Sequence, residues 1–385
     1  MTFISNLKLH NFRCYSAVAL EGLSSGLIVL HGANGAGKTN ALEAVSLLSP
    51  GRGLRGAKNI EIQCQSEGKP WAVAARVETG YGTMRLGTGL DAASEKRVVR
   101  VNGENARGQN ALAEHLACVW LTPQMDRLFL DSSSHRRKFL DRLIFAFDPG
   151  HSGRVARYEN AMRQRSKLLQ EGFRSGGVDP AWLDGLEAQM AETGCAIAAA
   201  RLDFVQRLQA VCERAASAFF PKADLRVTGT IEALLEQSSA LDVEEMFLYQ
   251  LAQSRGQDAV RGGAATGPHR SDLAVRYAAK DMAADQCSTG EQKALLIGIV
   301  LAHARLIAAE RGAPPVLLLD EVAAHLDEQR RAALYGLLGE LGGQVWLTGT
   351  DADLFRAIEG KAQFFEVQSS VISNVCEKSY QVATV

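Results

Sequence analysis

The sequence predicts an α/β lobe, mixed sheets plus helices, interrupted by a mainly helical second lobe. Three observations carry that prediction. The apolar run "GLIVLHG" (26–32) ends in a glycine-rich loop and precedes apolar residues at helical spacing. A second apolar run, "PPVLLLD" (314–320), ends in acidic residues and again precedes a helical pattern. Between them, from about 105 to 220, the chain has few breakers and helical apolar periodicity.

Taken in order, residues 26–32 read as a buried strand. Ala41, Leu42, Val45 and Leu48 then recur at helical spacing. "LSPGRGLRGAK" (48–58) breaks that helix with Pro50 and its glycines. Four strands are expected between about 59 and 103: "NIEIQCQ", "WAVAARVET", "GTMRLGTGL" and "KRVVRVNG". Helices follow at "HRRKFLDRLIFAF" and along the stretch from Leu186 to Phe220, then a mixed segment over 222–287. The chain returns to α/β with a helix at 289–311, a strand at 314–320, a helix near 327–339 and a strand at "GQVWLT". This predicts one discontinuous lobe, 1–122 with 265–368, bracketing a helical lobe or arm at 123–264. The closing stretch, 369–385, is weakly patterned and reads as a strand or a loose tail.

Composition narrows the class. The chain has 385 residues, 46% hydrophobic and 22% charged, with a formal net charge of −1, the balance of an ordinary globular protein. Any polyanion site must therefore be a local patch. The N-terminus lacks the layout of a signal peptide, and apolar runs such as "ALLIGIVLAHA" (294–304) are too short to suggest a membrane span. The seven cysteines are scattered without a C-x-x-C pair. They read as reduced thiols of a cytoplasmic protein, without structural zinc.

Three motifs carry chemistry. "HGANGAGKTNALEAV" (31–45) contains G-x-x-x-x-G-K-[ST], formed by Gly32, Ala33, Asn34, Gly35, Ala36, Gly37, Lys38 and Thr39. Backbone N–H groups of such a loop and the helix N-terminus cradle phosphates. Lys38 reaches the β- and γ-phosphates, and Thr39 holds Mg²⁺. In "PPVLLLDEVAAHLDEQRR" (314–331), Asp320 stands at the tip of a buried strand, where it can position Mg²⁺, and Glu321 is placed to polarise a hydrolytic water. In "CSTGEQKALLIGIVLAHA" (287–304), Ser288 and Gly290 open an apolar helix and form a further anion site. Plain capping, Ser288 to Glu291, is the alternative there.

In this order the motifs resemble the ATP-binding-cassette ATPases. "CSTGEQ" takes the place of their signature, and "AAHLD" that of their D-loop, with Asp327 as its aspartate. That resemblance implies two chains pairing head to tail on ATP, each signature closing over the other chain's nucleotide. From Thr39 to Ser288 the spacing is too long for a transporter subunit, and the hundreds of helical residues of chromosome ATPases are missing. "ISNLKLHNFRCYSAVAL", "LSPGRGLRGAK", "VNGENARG", "LTPQMDRLFLDSSSHRRKFLDRLIF", "GPHRSDL" and "DEVAAHLDEQRR" resemble the RecF family of recombination mediators, over about residues 3–355.

The resemblance implies an ATP- and Mg²⁺-dependent DNA clamp of recombinational repair with weak hydrolysis, Glu321 and Lys38 being catalytic. It implies RecR and RecO as partners in loading recombinase at gaps, and no membrane. It also implies Arg13 or Tyr15 near the adenine and Gln124 beside Mg²⁺. Thr348, Thr350 or Asp351 would stand where transporters carry a switch histidine. A transporter ATPase subunit, a clamp that binds ATP without hydrolysing it, and a small-molecule kinase are the alternatives.

From His135 to Arg174 ten Lys/Arg face four Asp/Glu. Among them Arg136, Arg137, Arg154, Arg157, Arg163, Arg165 and Lys167 are candidates for a polyanion track. A solvated helical face is the alternative. Aromatics are sparse here, which points to backbone contact with duplex or junction DNA and not to base stacking.

Overall fold

The computed structural model describes residues 2–64, 68–175, 177, 179–214 and 219–375. The chain forms two compact units: Met1–Asp126 with Ser217–Phe220 and Leu296–Val385, and Arg127–Ala216 with Pro221–Leu295. The second boundary thus falls at Leu296 and not near 265. The reason is that residues 223–283 supply the sheet of the second unit.

The first unit begins with strands β1 (Phe3–Phe12), β2 (Tyr15–Leu20) and β3 (Leu27–His31), helix α1 (Lys38–Ser46), then β4 (Ala72–Thr79), β5 (Gly82–Leu90), β6 (Arg97–Val101), β7 (Glu104–Asn105) and β8 (Cys118–Leu121). The second unit follows with α2 (Ser133–Phe145), α3 (His151–Ser175), α4 (Pro180–Arg214), β9 (Ala223–Thr228), α5 (Thr230–Leu235), α6 (Ala240–Arg261), β10 (Asp272–Tyr277) and β11 (Met282–Ala283). Helix α7 (Thr289–Arg311) leads to β12 (Val316–Leu319), α8 (Glu328–Leu341), β13 (Val345–Gly349), β14 (Ala362–Gln368) and β15 (Val371–Asn374).

Two six-stranded sheets build the first unit. One has the order β15-β14-β3-β13-β12-β8 and is parallel except for β15. Its central strands are continuous apolar runs, as strands covered on both faces must be: every residue of β12 and β13 is buried. The other sheet, β2-β1-β4-β5-β6-β7, is antiparallel. Ile4, Leu7 and Val73 of that sheet, Ala41, Leu42 and Val45 of α1, and Ile28, Leu30 and Leu318 of the parallel sheet share one core. This explains why α1 is buried almost all round.

The strand expected at "NIEIQCQ" is instead a 3-10 turn, Asn59–Ile62, and Gln65 lies outside the described residues. β8 lies in a stretch that reads as helical. Four apolar residues are too few for periodicity to tell strand from helix. Within the tail, Val371–Asn374 pair antiparallel with β14; residues 376–385 lie outside the described ones. The expectation on membrane-length segments also needs correction. α7, with mean hydropathy 1.5, is long and apolar enough to cross a bilayer. Some 78% of its most apolar stretch is buried within the protein, as in the core helix of a globular fold.

In the second unit Tyr158 of α3, Met190 and Ile197 of α4, and Val243 and Phe247 of α6 form the core. A three-stranded antiparallel sheet, β11-β10-β9, accompanies it.

Candidate functional site

At the end of β3 the chain turns through residues 32–37. Gly32 has φ +150°, and a Cβ there would lie 2.1 Å from the carbonyl oxygen of Val367. Gly37 has φ +118°, and a Cβ would meet the Tyr15 hydroxyl at 2.6 Å. Neither position tolerates a side chain, so the loop lies close against Val367 and Tyr15. Tyr15 is 1% exposed and donates from its hydroxyl to the Gly37 carbonyl, 3.0 Å. Helix α1 starts at Lys38 with no side-chain cap and no acid in its first turn. Its N-terminal N–H groups are therefore available to an anion. Ala33, Asn34 and Gly35 are exposed at the tip of the loop.

The Lys38 ammonium donates to the carbonyls of Gly32 (2.7 Å) and Ala33 (2.9 Å). Burial lowers its pKa, against the pull of Glu321 and Asp320. Thr39 Oγ1 donates to both carboxylate oxygens of Asp320, at 2.9 and 3.0 Å, across 281 residues of sequence. Asp320 follows β12, and its N–H bonds the carbonyl of Leu121 on β8. On the other side, Thr348 of β13 donates from Oγ1 to Asp320 Oδ1 (2.7 Å) and accepts from the N–H of Glu321 (2.9 Å). One hydroxyl thus ties both acids to the sheet. Glu321 sits at φ +52°, a backbone conformation that costs a non-glycine residue energy and clusters at functional sites.

Hard oxygen donors, a carboxylate and a hydroxyl, suit Mg²⁺, so Asp320 and Thr39 fit that ion. Thr350 is exposed, and Asp351 caps the turn Ala352–Ile358 by accepting from the Asp353 N–H. Of the three switch candidates only Thr348 touches the acid pair. Thr348→Val should therefore lower phosphate release roughly 10- to 100-fold, since small misplacements of reacting groups have effects of that size. Binding of a fluorescent ATP analogue should change only a few-fold, and Thr348→Ser should restore turnover.

The Arg13 guanidinium is engaged on the buried carboxylate of Glu43, at 2.7 and 2.9 Å, and Arg55 meets the same carboxylate at 3.4 Å. Arg13 therefore braces α1, and Tyr15 is too buried to stack on a base. An acid in the apolar face of "NALEAV" was the only sequence sign of this cluster. Gln124 is exposed in the turn Pro123–Arg127, directly after β8 and at the same strand-end edge as Asp320.

In the second unit Ser288 and Glu291 form a capping box. The Ser288 N–H and hydroxyl both donate to Glu291 Oε2 at 2.9 Å. The ion pair with Lys280, followed by the Ser288 bonds, holds the Glu291 carboxyl down to about 2. Capping and exposure coexist here, because Ser288, Thr289 and Gly290 stay solvent-facing. In the first unit Asp327 caps α8, accepting from the Arg330 N–H at 2.8 Å.

Four of the seven cations of the expected track are committed internally. Arg136 binds Asp272 through two nitrogens (2.6 and 2.8 Å), Arg137 the carbonyl of Ser271 (2.6 Å), and Arg154 pairs with Asp148. Arg165 is fully buried, held by Glu187 (2.7 Å), Asp258 (2.8 Å) and the Leu251 carbonyl (2.6 Å). It is a core residue and meets no outside phosphate. Arg157, Arg163 and Lys167 are exposed, the last two paired with Glu159 and Glu171.

"GPHRSDL" is also structural. His269 Nδ1 shares a 2.8 Å hydrogen bond with the Tyr158 hydroxyl, and Nε2 lies 3.0 Å from the Ala264 carbonyl. Burial, with Arg270 and Arg137 nearby, lowers the imidazole from 6.5 to about 4. A base whose folded pKa is depressed stabilises fully above its unfolded value and loses that contribution as pH falls. Melting temperature should therefore drop between pH 6.5 and 4. His269→Gln should flatten that part of the profile in a thermal melt at stepped pH.

Comparisons with known proteins agree with this geometry. The family model described as RecF/RecN/SMC N terminal domain matches residues 3–373. A protein of Mesorhizobium japonicum named DNA replication and repair protein RecF is 49% identical, covering 96% of this chain and 97% of its own. A protein of the same name from Brucella suis is 47% identical, covering 97% and 96%. Among solved structures, the recombination mediator protein RecF-ATPrS in the RecFOR pathway superposes with TM-score 0.86 at 24% identity, covering 97% and 98%. A Pyrococcus furiosus Smc head domain does so with TM-score 0.53 at 16% identity, covering 100% and 99%. These two share the fold. On the family match and the near-half identity over almost full length, the chain belongs to the RecF family of DNA replication and repair proteins, within the RecF/RecN/SMC group.

Proposed function

We propose that the chain is an ATP-driven DNA clamp of recombinational repair, acting in the cytoplasm. The observation that carries this is the junction of Thr39, Asp320, Thr348 and Glu321 beside Lys38. It joins a phosphate-binding loop to an acid placed for hydrolysis. Loop N–H groups and Lys38 bind the triphosphate. Asp320 and Thr39 would hold Mg²⁺, which neutralises phosphate charge when bound. Glu321 orients the attacking water and accepts its proton. The exposed Ser288–Gly290 tip contributes donors to the nucleotide of a second copy, so that ATP joins two chains and hydrolysis parts them. Solved RecF structures of the same fold are described as RecF-ATPrS and RecF-ATP of the RecFOR pathway. This supports RecR and RecO as partners and recombinase loading at gaps as the task.

Lys38→Arg tests the reading. ATP binding, followed by a fluorescent analogue, should stay within a few-fold of the parent. Turnover should fall roughly 100-fold or more, the scale for losing one positioned donor. Equal loss of both, or of neither, would count against it.

A further inference from the structure

The antiparallel sheet of the first unit packs one face on α1, and its other face is outward. Register places Lys8, Ala74, Gly87 and Arg100 side by side on four consecutive strands, β1, β4, β5 and β6. One step along, Arg76 of β4 stands directly opposite Arg85 of β5. All four cations are exposed. Like charges directly opposite one another in a sheet repel, so this pair gains from an anion.

The carboxylates on this face are already engaged. Glu78 accepts from Ser5 (2.7 Å) and Thr83 (2.5 Å) and also feels the charge of Arg76, and Glu21 lies 3.8 Å from Lys8. Among the described residues no carboxylate lies within ion-pair distance of Arg76, Arg85 or Arg100; Arg100 donates to the Asn105 amide oxygen, 3.1 Å. This contrasts with the cations of α2 and α3, most of which are spent on internal partners. Between Lys8 and Arg100 the outward positions are Ala74 and Gly87, so nothing bulky keeps a flat anion away. Strands are spaced by about 4.8 Å, which puts Lys8 and Arg100 about 14 Å apart, on the scale of the ~12 Å major groove. No Phe, Tyr or Trp stands at these positions, which disfavours base stacking.

We propose that this outward sheet face is a contact surface for the phosphate backbone of duplex DNA, read without sequence preference. The inference rests on the clamp reading and adds where the duplex lies. Backbone contact of this kind releases counterions, and the slope of log affinity against log salt measures it, about 0.9 per phosphate neutralised.

The test uses the full chain with ATP, titrated by fluorescence anisotropy into a labelled duplex of arbitrary sequence across a salt series. The variants are Arg76→Glu/Arg85→Glu/Arg100→Glu, the neutral Arg76→Gln/Arg85→Gln/Arg100→Gln, and Arg163→Glu/Lys167→Glu as comparison. Both sheet variants should bind at least 10-fold more weakly and lose about two to three units of salt slope. The helix variant should change little. The neutral variant removes the Arg–Arg repulsion, so its melting temperature should not fall, which keeps the result readable if the charge reversal misfolds. Parent-like binding by the neutral variant, with loss in the helix variant, overturns the sheet-face assignment. A parent chain that does not bind duplex at all overturns the clamp reading itself.

Discussion

Glu321→Gln should slow ATP hydrolysis by roughly two to four orders of magnitude, the usual contribution of a positioned general base, while ATP binding changes only a few-fold. Glutamine keeps the shape and the backbone bond from the Glu321 N–H to Thr348, so the loop, Lys38 and Asp320 stay where they are. What is lost is the acceptor for the water's proton. Single-turnover phosphate release alongside nucleotide titration separates the two quantities. A variant that hydrolyses at the parental rate would remove Glu321 from the mechanism and leave the chain a nucleotide-gated clamp without a timer.

Arg165→Leu is expected to destabilise the second unit strongly. Its guanidinium joins the buried carboxylates of Glu187 on α4 and Asp258 on α6. Arg255 still reaches Glu187, and Ser254 still reaches Asp258, so neither acid is left bare. Removing one partner of a buried ion pair nevertheless costs about 3–5 kcal/mol. The melting transition should fall by about 10 °C. The triple change Arg165→Leu/Glu187→Leu/Asp258→Leu should recover part of the loss, because no buried charge is left unpaired and Arg255 keeps Asp184. DNA affinity of the folded fraction should not change, in contrast to the behaviour of an exposed phosphate ligand.

The site was legible wherever chemistry follows local spacing. Lys38 and Thr39 sit one after the other at the end of a glycine loop, and Asp320 and Glu321 at the end of four apolar residues. The glycine loop names its chemistry alone, whereas the two acids read as a metal and water site only beside it. The helix at 289–311 was legible for the same reason, since a capping box and an unbroken apolar run mark its ends. What stayed hidden depends on partners remote in sequence. Arg165 counts as one more surface charge until α4 and α6 bring Glu187 and Asp258 to it. The bond from Arg13 to Glu43 stays hidden until that acid is seen turned inward from α1. Arg76 and Arg85 look like unrelated charges until the β4–β5 register sets them opposite each other. Thr348 is one of three hydroxyl or acid side chains in "LTGTD", and only the pairing of β12 with β13 selects it.

The clamp itself is tested most directly by the mass of Glu321→Gln in solution. Size-exclusion chromatography with light scattering, without nucleotide, with ATP, and with ATP and duplex DNA, reads the state of the chain. The account predicts a monomer without nucleotide and a stable dimer with ATP that co-elutes with DNA. A chain that remains monomeric under all three conditions contradicts it.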